Sequence, residues 1–573
     1  MISRGQAVVV LIAILIAAAA FRLVGIDYGL PHPLVSDEEI LIGGALRMAQ
    51  TASFIPTLDP ALAEQLYYPV GLPYAYLAVF APVAGLLFAG YGFPPMSEFT
   101  TVLLTHLDMF FLVARLLGAV LSVATVWIIY RLGAAMFASP IAGLFAAALL
   151  SVSWFHVLLG HFARHWSATV FFTWLIVWLA WRYYETPSVR RAIWCGLAAA
   201  MGFAVGYIAV LGYGAFGLLH LIRHRARFFN RYLIWGLLAA GGGILIAGAL
   251  HVPAIERLVG SNAPVLPVDQ IKSLGGYMEM LSFYMMALWH AEPVLLVSGA
   301  VGGLLALVGF RWHVGVLVLA FFGYTVFLYL FMPLEDRYIL PAIPVLTLLA
   351  GGGAAILGSG SFRRVFVIRV FAVVMLALMY AGWNVTTFNG LLNAPDSRER
   401  AIDWVAERAT ADDGIVLAMN PVKLPAATSG LKVQAVLAPA SLDAVDRLAL
   451  SGGRAGGFHV VHLNRFAPDA LEGAAGAALL AQLRDSGFRY ILVAQRHDLP
   501  RTRFHEELAQ LGRPVETYDP TTRRSDVTPP DMRTTILVQN RMVHDYSGLR
   551  YLGPRVEIYD LERVRISESD PRR

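Results

Sequence analysis

Residues 109–130, MFFLVARLLGAVLSVATVWIIY, hold one charged side chain, Arg115, among 22 positions. A helix of that length rises about 33 Å, which covers the roughly 30 Å hydrocarbon core of a bilayer. Only 14% of the chain is charged and 57% is hydrophobic, so a globular protein that lies entirely in water is excluded. Similar apolar runs occur at about 6–24, 69–90, 141–158, 166–183, 191–205, 206–222, 231–250, 292–310, 313–331, 338–358 and 366–384.

The last third of the chain has a different composition. Residues 391–573 hold 24 basic and 24 acidic side chains and no apolar run of spanning length. This indicates a separate soluble domain, and the first 390 residues form the membrane domain. In the soluble domain, short apolar runs bounded by turn residues predict a mixed α/β fold. Strands are predicted at 414–420, 432–438, 458–464, 488–495, 534–540 and 555–561, and helices at 397–409 and 478–487.

Arginine-rich connections set the orientation of the membrane domain, because such connections stay in the cytoplasm. With the first residue inside, one apolar run must fail to cross. Residues 68–92 are the best candidate, since Pro69, Pro73 and Pro82 interrupt them. The prediction is therefore an all-α bundle of about 11 transmembrane helices, with a first outer loop at 25–108. The C-terminal domain is then extracytoplasmic. The glycine-rich patches at 241–243 and 351–353 predict close helix packing.

Charged side chains that suit chemistry lie on the predicted outer face. Three acids, Asp37, Glu38 and Glu39, follow the first apolar run and precede an amphipathic helix pattern. Helix capping explains such acids in an ordinary loop, but carboxylates at the mouth of a helical bundle are also placed to accept a proton.

Arginines stand at the outer ends of three other runs. They are Arg115, Arg164 and Arg337. Each alone is explained by contact with lipid headgroups. Together they outline a site for a phosphate group, because a guanidinium matches a pair of phosphate oxygens. His161 and His165 flank the second arginine and are candidates for further phosphate contacts.

The order of these motifs resembles a known superfamily. An acidic pair after the first membrane helix is followed by YYPVGLPYAYL at 67–77, LVARLLGAVLSV at 112–123 and DRYILPAIPVL at 336–346. This order is similar to that of the dolichyl-phosphate-mannose protein mannosyltransferases and aminoarabinose transferases, which are type C glycosyltransferases. The resemblance covers residues 1–390. The junction LLNAPDSRERAIDWVAER at 391–408 also resembles bacterial members that end in an extracytoplasmic domain.

The resemblance implies transfer of a sugar from a polyprenyl-phosphate carrier to an acceptor outside the cytoplasmic membrane of a bacterium, with inversion. Asp37 matches the catalytic carboxylate and Glu38 its assisting partner, with Glu39 adjacent. Arg115 matches the arginine that holds the lipid phosphate.

Further candidates for binding the lipid phosphate or the sugar are Arg337, Arg164, His165 and Tyr68. Tyr68 begins the sequence Tyr-Pro-Val-Gly, where many members of the superfamily have His-Pro-Pro-Leu. This departure leaves the acceptor open among proteins, lipids and glycans.

The sequence also bears on cofactors and on an alternative function. The resemblance and the adjacent acids leave a divalent cation open as a cofactor, with no ligand set defined by spacing. No motif indicates nucleic-acid binding. The single cysteine, Cys195, excludes a disulfide framework. The alternative is a transporter or lipid flippase, which would show internal repeats and ionisable residues near the bilayer midplane, and the sequence shows neither.

Overall fold

The computed structural model describes most of the membrane domain and part of the C-terminal region. The described residues are 3–259, 273–359 and 364–410 except 33, 36 and 333, followed by 413–418, 424, 427–437, 442, 450, 458–462, 483–495, 508, 513–520 and 549–561. The chain divides into two compact units. Unit 1 holds Met1–Ile26, Ile40–Val79 and Leu112–Gly390, and unit 2 holds Asp27–Glu39, Phe80–Phe111 and Leu391–Arg573.

The described chain is helical up to residue 392. Its α-helices there are α1 (Arg4–Leu23), α2 (Glu38–Thr51), α3 (Pro60–Gln65), α4 (Gly71–Gly90), α5 (Met96–Thr105), α6 (Leu107–Met136), α7 (Pro140–Ser151), α8 (Trp154–Gly160), α9 (His165–Glu185), α10 (Val189–Val205), α11 (Gly214–His224), α12 (Arg231–Leu250), α13 (Val252–Val259), α14 (Leu274–Ala291), α15 (Pro293–Ala306), α16 (Arg311–Phe331), α17 (Ile343–Gly358) and α18 (Arg364–Leu392). Short 3-10 segments lie at Pro56–Leu58, Tyr207–Tyr213, Arg225–Arg227 and Asp336–Ala342.

Seven helices in the described part of the chain are long and apolar enough to cross a membrane, or up to nine if each of two bent pairs forms one span. The protein is therefore a multi-pass membrane protein. The bent pairs are α7 with α8, at 62°, and α14 with α15, at 113°. The count is below the predicted eleven because some runs lie on short or broken helices. The runs at 191–205 and 206–222 fall on the 17-residue α10, a 3-10 segment and the 11-residue α11.

The proline-containing run at 68–92 is less interrupted than its sequence predicts. The structure has one continuous helix from Gly71 to Gly90, with only Pro82 in its interior. Pro69 precedes the helix and Pro73 lies in its first turn, where a missing N–H breaks no helical hydrogen bond. The prediction of a broken segment is thus wrong for the backbone, and α4 has the length and composition of a span.

Apolar side chains in unit 1 are distributed as a bilayer requires. Helix α17 is buried along its whole length from Ile343 to Leu357. Helix α18 instead exposes large apolar side chains such as Phe366, Leu376 and Trp383, which water would not stabilise but lipid chains do.

Glycines allow helices in unit 1 to approach closely. A Cβ on Gly353 would lie 2.5 Å from Gly302 Cα, and one on Gly351 would lie 2.5 Å from the Ala142 carbonyl oxygen. A Cβ on Gly243 would likewise lie 2.4 Å from Ala200 Cβ. The predicted packing role of both glycine-rich patches is therefore confirmed at these positions, although Gly241 has open space around its Cα.

The C-terminal region is a small α/β fold within unit 2. Its described elements are α19 (Ser397–Arg408), β1 (Gly414–Ala418), α20 (Thr428–Leu437), β2 (His459–His462), β3 (Phe488–Gln495), β4 (Glu516–Tyr518) and β5 (Arg555–Asp560). The strands form one sheet in the order β2-β1-β3-β5-β4. Strand β1 is parallel to β2 and β3, with Ile415 opposite both Val460 and Tyr490, whereas β5 is antiparallel to β3 and β4.

The predicted fold class, a helical membrane bundle followed by an α/β domain, is confirmed. Five of the predicted elements in the C-terminal region are found, and they are α19, β1, β2, β3 and β5. The strand predicted at 432–438 is wrong, because those residues belong to α20. The strand predicted at 534–540 and the first half of the helix predicted at 478–487 lie outside the described residues.

Candidate functional site

The acidic segment lies at the start of α2 in unit 2. Asp37 is the residue before the helix and has a left-handed backbone, with φ of 69°, and Glu38 and Glu39 form the first turn. Glu38 is 0% exposed, while the other two acids are partly buried. None of the three carboxylates therefore stands fully in solvent. Acids at a helix N-terminus are stabilised by the helix dipole, so their position is compatible with capping as well as with chemistry.

The residues before these acids are tightly packed. Leu34 and Val35 are fully buried, and so is nearly all of Tyr28. Gly29 has φ of 73°, and a Cβ there would lie 2.7 Å from Leu34 Cγ. The chain around Gly29 thus needs a residue without a side chain, because both the backbone angle and the space exclude one.

Three of the predicted binding residues share one cluster in unit 1. The Tyr68 and His165 rings lie 5.1 Å apart, and His165 lies 4.6 Å from the neighbouring Trp166 ring. The Trp166 ring also lies 5.2 Å from Tyr338 and 6.0 Å from the Arg337 guanidinium carbon. This set of Tyr68, His165, Trp166, Arg337 and Tyr338 is called the aromatic–arginine cluster below.

Arg164 also belongs near this cluster. It directly precedes α9, is almost fully buried, and lies close enough to Tyr338 for an electrostatic interaction. Two arginines that are mostly withdrawn from solvent therefore lie near several aromatic rings. A guanidinium in such surroundings is poorly hydrated and binds an anionic oxygen more strongly than it would in water.

Arg337 has hydrogen-bonding capacity that the described residues do not use. Its Nη2 forms an ion pair with Glu335, and its side chain is 13% exposed. Its Nε and Nη1 atoms are buried and have no hydrogen-bond partner among the described residues. Buried N–H groups without partners are uncommon because each costs free energy. These two groups can donate to a pair of phosphate oxygens.

Arg115 is placed differently. It is fully buried on α6, and its Nη1 donates to the Ile26 carbonyl oxygen at 2.9 Å while its guanidinium lies over Phe162. His161 has a ring nitrogen 3.0 Å from the Val24 carbonyl oxygen. Both side chains therefore hold the chain where it leaves α1. These contacts fasten Arg115 to the framework of unit 1, and its contact with the lipid phosphate stays a prediction.

A second buried arginine, Arg22, is absent from the sequence prediction. Its Nε donates to Ser122 Oγ at 2.6 Å, its Nη1 to the Ala18 carbonyl oxygen at 2.8 Å, and its Nη2 lies 2.7 Å from His156 Nδ1. Protein groups thus meet every part of its fork. In the sequence, Arg22 is one more arginine at the end of an apolar run. Its burial depends on partners from other helices, such as Ser122 and His156, which the local sequence does not indicate.

A third set of buried charges missed by the sequence lies in unit 2. Tyr28, Asp396 and Arg398 hydrogen-bond to one another and are almost fully buried. Burial, followed by the nearby Asp396 carboxylate, raises the pKa of Tyr28 well above its usual value. The phenol therefore remains a donor at any physiological pH. The pair Asp-x-Arg in the junction at 391–408 is the local signal of this cluster.

The described residues contain no group of three or more His, Cys, Asp and Glu side chains that is arranged to hold a metal ion. The adjacent acids at 37–39, which left a divalent cation open, are therefore not joined by further ligands into such a group within this part of the chain. His459 and His462 lie at the two ends of β2, and His505 and His544 lie outside the described residues.

The described structure is that of a helical multi-pass membrane protein with several buried arginines, and comparisons with known proteins add to this description. Residues 93–250 match the family model described as dolichyl-phosphate-mannose-protein mannosyltransferase. The predicted resemblance to that superfamily is thus confirmed for this part of the chain. It includes Arg115, Arg164 and His165 and lies between Asp37 and Arg337.

Three solved structures are similar to the chain at low sequence identity. ArnT from Cupriavidus metallidurans in the apo state is 13% identical, with a TM-score of 0.47 over 91% of this chain and 96% of that chain. The apo oligosaccharyltransferase of Archaeoglobus fulgidus is 11% identical, with a TM-score of 0.44 over 86% of this chain and 70% of that chain. The mycobacterial arabinofuranosyltransferase AftD is 17% identical, with a TM-score of 0.44 over 96% of this chain and 41% of that chain. No curated protein matches the chain significantly.

Proposed function

We propose that this protein is a membrane glycosyltransferase that moves a sugar from a polyprenyl-phosphate carrier to an acceptor, with inversion at the anomeric carbon. The observation that carries the proposal is the match of residues 93–250 to the mannosyltransferase family. The aromatic–arginine cluster supports it, because Nε and Nη1 of Arg337, which have no hydrogen-bond partner among the described residues, suit a phosphate group.

The reaction is a single displacement. An oxygen or nitrogen of the acceptor attacks the anomeric carbon while the bond from that carbon to the phosphate oxygen breaks. The phosphate leaves with the bonding electron pair, and the acceptor loses a proton to a carboxylate. Fixed positive charges stabilise the negative charge that develops on the phosphate, so the step needs no nucleotide.

Asp37 is the proposed base, and Glu38 is its proposed assisting partner. A carboxylate within reach of the acceptor can take up its proton as a general base. Asp37 is partly buried and Glu38 is fully buried. Glu39, also partly buried, is proposed to contact the acceptor or the sugar.

The lipid phosphate is assigned first to Arg337 and then to Arg164. Arg337 has two buried N–H groups without partners among the described residues, whereas Nη1 of Arg115 already donates to Ile26. Tyr68 and His165 are proposed to contact the sugar or the phosphate from the same cluster. Arg115 is proposed to support the site by holding the end of α1.

We also propose the location and orientation of the chain. It lies in the cytoplasmic membrane of a bacterium, with residues 1–390 as the membrane domain and residues 391–573 outside the cytoplasm. Within unit 2, Leu104 of α5 packs against Leu431 and Leu442. This contact supports a position of α5 on the same side of the membrane as the C-terminal region.

The test is cleavage of a lipid-linked sugar by the purified protein in detergent micelles. Polyprenyl phosphates that carry different radiolabelled sugars are incubated with the protein and an extract of envelope glycans and lipids. The proposal predicts release of free polyprenyl phosphate and transfer of label with one of the donors. A micelle has no two compartments, so a transporter or flippase would leave the donors intact. Intact donors across the whole panel would contradict the proposal.

A further inference from the structure

A buried cluster in unit 2 joins the segment before the acids to the C-terminal region. Tyr28 Oη donates to Asp396 Oδ2 at 2.5 Å. Arg398 binds both oxygens of the same carboxylate, with Nε 2.8 Å from Oδ1 and Nη2 3.0 Å from Oδ2, and Nη2 also donates to Tyr28 Oη at 3.2 Å. Tyr28 is 2% exposed, and the two charged residues are 0% exposed. This set is called the junction cluster.

The junction cluster holds the backbone close to Asp37. Arg398 Nη1 donates to the Leu34 carbonyl oxygen at 3.3 Å. Leu34 is three residues before Asp37, and each residue extends the chain by at most about 3.8 Å. A shift at Leu34 is therefore passed to the acid over a short length of chain. Close packing of Leu34 on Gly29 adds to this restraint.

The other side of the junction cluster is anchored to the sheet. Asp396 caps α19, with its Oδ1 accepting from the Arg398 backbone N–H at 2.8 Å. Ser397 then donates its hydroxyl to the Pro554 carbonyl oxygen at 2.6 Å, and its backbone N–H donates to Leu552 at 2.9 Å. Pro554 directly precedes β5, so the cluster is tied to a strand with partners on both sides.

The energetics of the buried ion pair indicate that it fixes the geometry of the surrounding chain and contributes little to stability. Taking an ion pair out of water costs free energy that its own attraction only partly returns, so a buried pair is poor evidence of stabilisation. Such pairs are best attested where they fix one register or one geometry. Here the carboxylate and guanidinium bind each other in a fixed planar geometry and also bind Tyr28 and Leu34.

We infer that Tyr28, Asp396 and Arg398 are positioning residues, through which the C-terminal domain sets the geometry of the carboxylate at Asp37. The inference rests on the proposed function for what Asp37 does. It gives the C-terminal domain a role in the reaction, because the sheet is the rigid element to which the acid-bearing segment is fastened.

The test compares two tyrosine variants in the full-length protein. Tyr28→Phe removes the hydroxyl of the junction cluster and keeps the ring. Tyr559→Phe is the matched control, because Tyr559 Oη donates at 2.8 Å to the buried carboxylate of Glu557, a residue of the same strand β5. Both variants remove one buried phenol–carboxylate hydrogen bond from unit 2.

Two measurements follow. Hydrogen exchange, read by mass spectrometry, is expected to speed up in peptides that cover 27–39 for Tyr28→Phe and to be unchanged there for Tyr559→Phe. In the polyprenyl phosphate release assay, kcat is expected to fall roughly 10- to 100-fold for Tyr28→Phe with KM nearly unchanged, because a shift of about 1 Å at a catalytic group has effects of that size. Tyr559→Phe is expected to keep kcat within about twofold.

Each outcome bears on a distinct claim. Unchanged exchange at 27–39 in Tyr28→Phe, or an equal loss of kcat in both variants, overturns the inference. A wild-type protein that releases no polyprenyl phosphate contradicts the proposed function, and the exchange measurement then still decides whether the junction cluster holds the acid-bearing segment.

Discussion

Replacing Arg337 by glutamine separates a binding role from a structural role. In the ligand-free protein, Nε and Nη1 of Arg337 are buried without partners among the described residues, and Nη2 pairs with Glu335, which is 35% exposed. Removing the guanidinium therefore relieves two desolvated donors, each of which costs about 1–3 kcal/mol. We expect the thermal midpoint of the ligand-free Arg337→Gln protein to be unchanged or slightly raised.

Activity should respond in the opposite direction. A hydrogen bond to a charged group contributes about 1.5–3 kcal/mol, so loss of two bonds to the leaving phosphate costs roughly 3–6 kcal/mol. This corresponds to a fall in kcat/KM of about 10²- to 10⁴-fold. The assay is release of labelled polyprenyl phosphate, with kcat/KM measured beside a thermal unfolding scan in the same detergent.

Arg115→Gln is the contrasting variant. Arg115 is fully buried and bound to the Ile26 carbonyl oxygen, so its loss should lower the thermal midpoint clearly. The reasoning is refuted if Arg337→Gln keeps kcat/KM within about threefold of wild type. It is also refuted if Arg337→Gln unfolds as early as Arg115→Gln, because that would make Arg337 a structural residue.

Three further predictions concern stability and accessibility. Gly29→Ala should destabilise the protein by more than Gly92→Ala: both residues have φ of 73°, but only at Gly29 would the new Cβ meet another side chain, that of Leu34 at 2.7 Å. Thermal scans of the two variants compare them, and equal midpoints would contradict the packing account. Glu292→Ala should cost about 1–3 kcal/mol, because Glu292 Oε1 accepts a hydroxyl at 2.6 Å and a backbone N–H at 2.9 Å in the bend before α8; Glu292→Gln, which keeps an acceptor, should cost less in the same scan. Cys195 is buried, so a thiol reagent should label it only after denaturation, and rapid labelling of the native protein would be inconsistent with its position.

Apolar runs and turn residues were enough to predict the fold class. The length and hydrophobicity of residues 109–130 predict a membrane helix, and α6 covers them as one helix of 30 residues. The strand at 488–495 is found with the same bounds, because its continuous apolar pattern has few alternatives. The sequence of α20 predicts a strand because its valines favour one locally, whereas the structure forms a helix there.

The sequence predicts which residues belong to the candidate site, but not the hydrogen bonds that each of them makes. Sequence order indicated Tyr68, His165 and Arg337, and the structure places these three in one cluster around Trp166. The sequence does not indicate which arginine has N–H groups without a hydrogen-bond partner among the described residues. That difference depends on the carbonyl oxygens within reach of each side chain, as the bond between Arg115 and Ile26 shows, and such contacts join residues far apart in the chain.

The junction cluster could not be predicted for the same reason. Asp396 and Arg398 are adjacent enough in sequence to suggest a helix cap, and α19 does begin there. Their contact with Tyr28 spans more than 360 residues of chain. A single sequence gives no information on a pairing of that separation, because neither partner changes the local helix or strand pattern.

The most direct measurement is the single-turnover rate of polyprenyl phosphate release by Asp37→Asn, with Asp108→Asn as the control. Asp108 is a partly buried acid in the same unit and has no proposed role. The account predicts that Asp37→Asn slows release by at least about 100-fold, since a general base contributes on the order of 10²- to 10⁴-fold, while Asp108→Asn remains close to wild type. Equal rates for wild type and Asp37→Asn would contradict it.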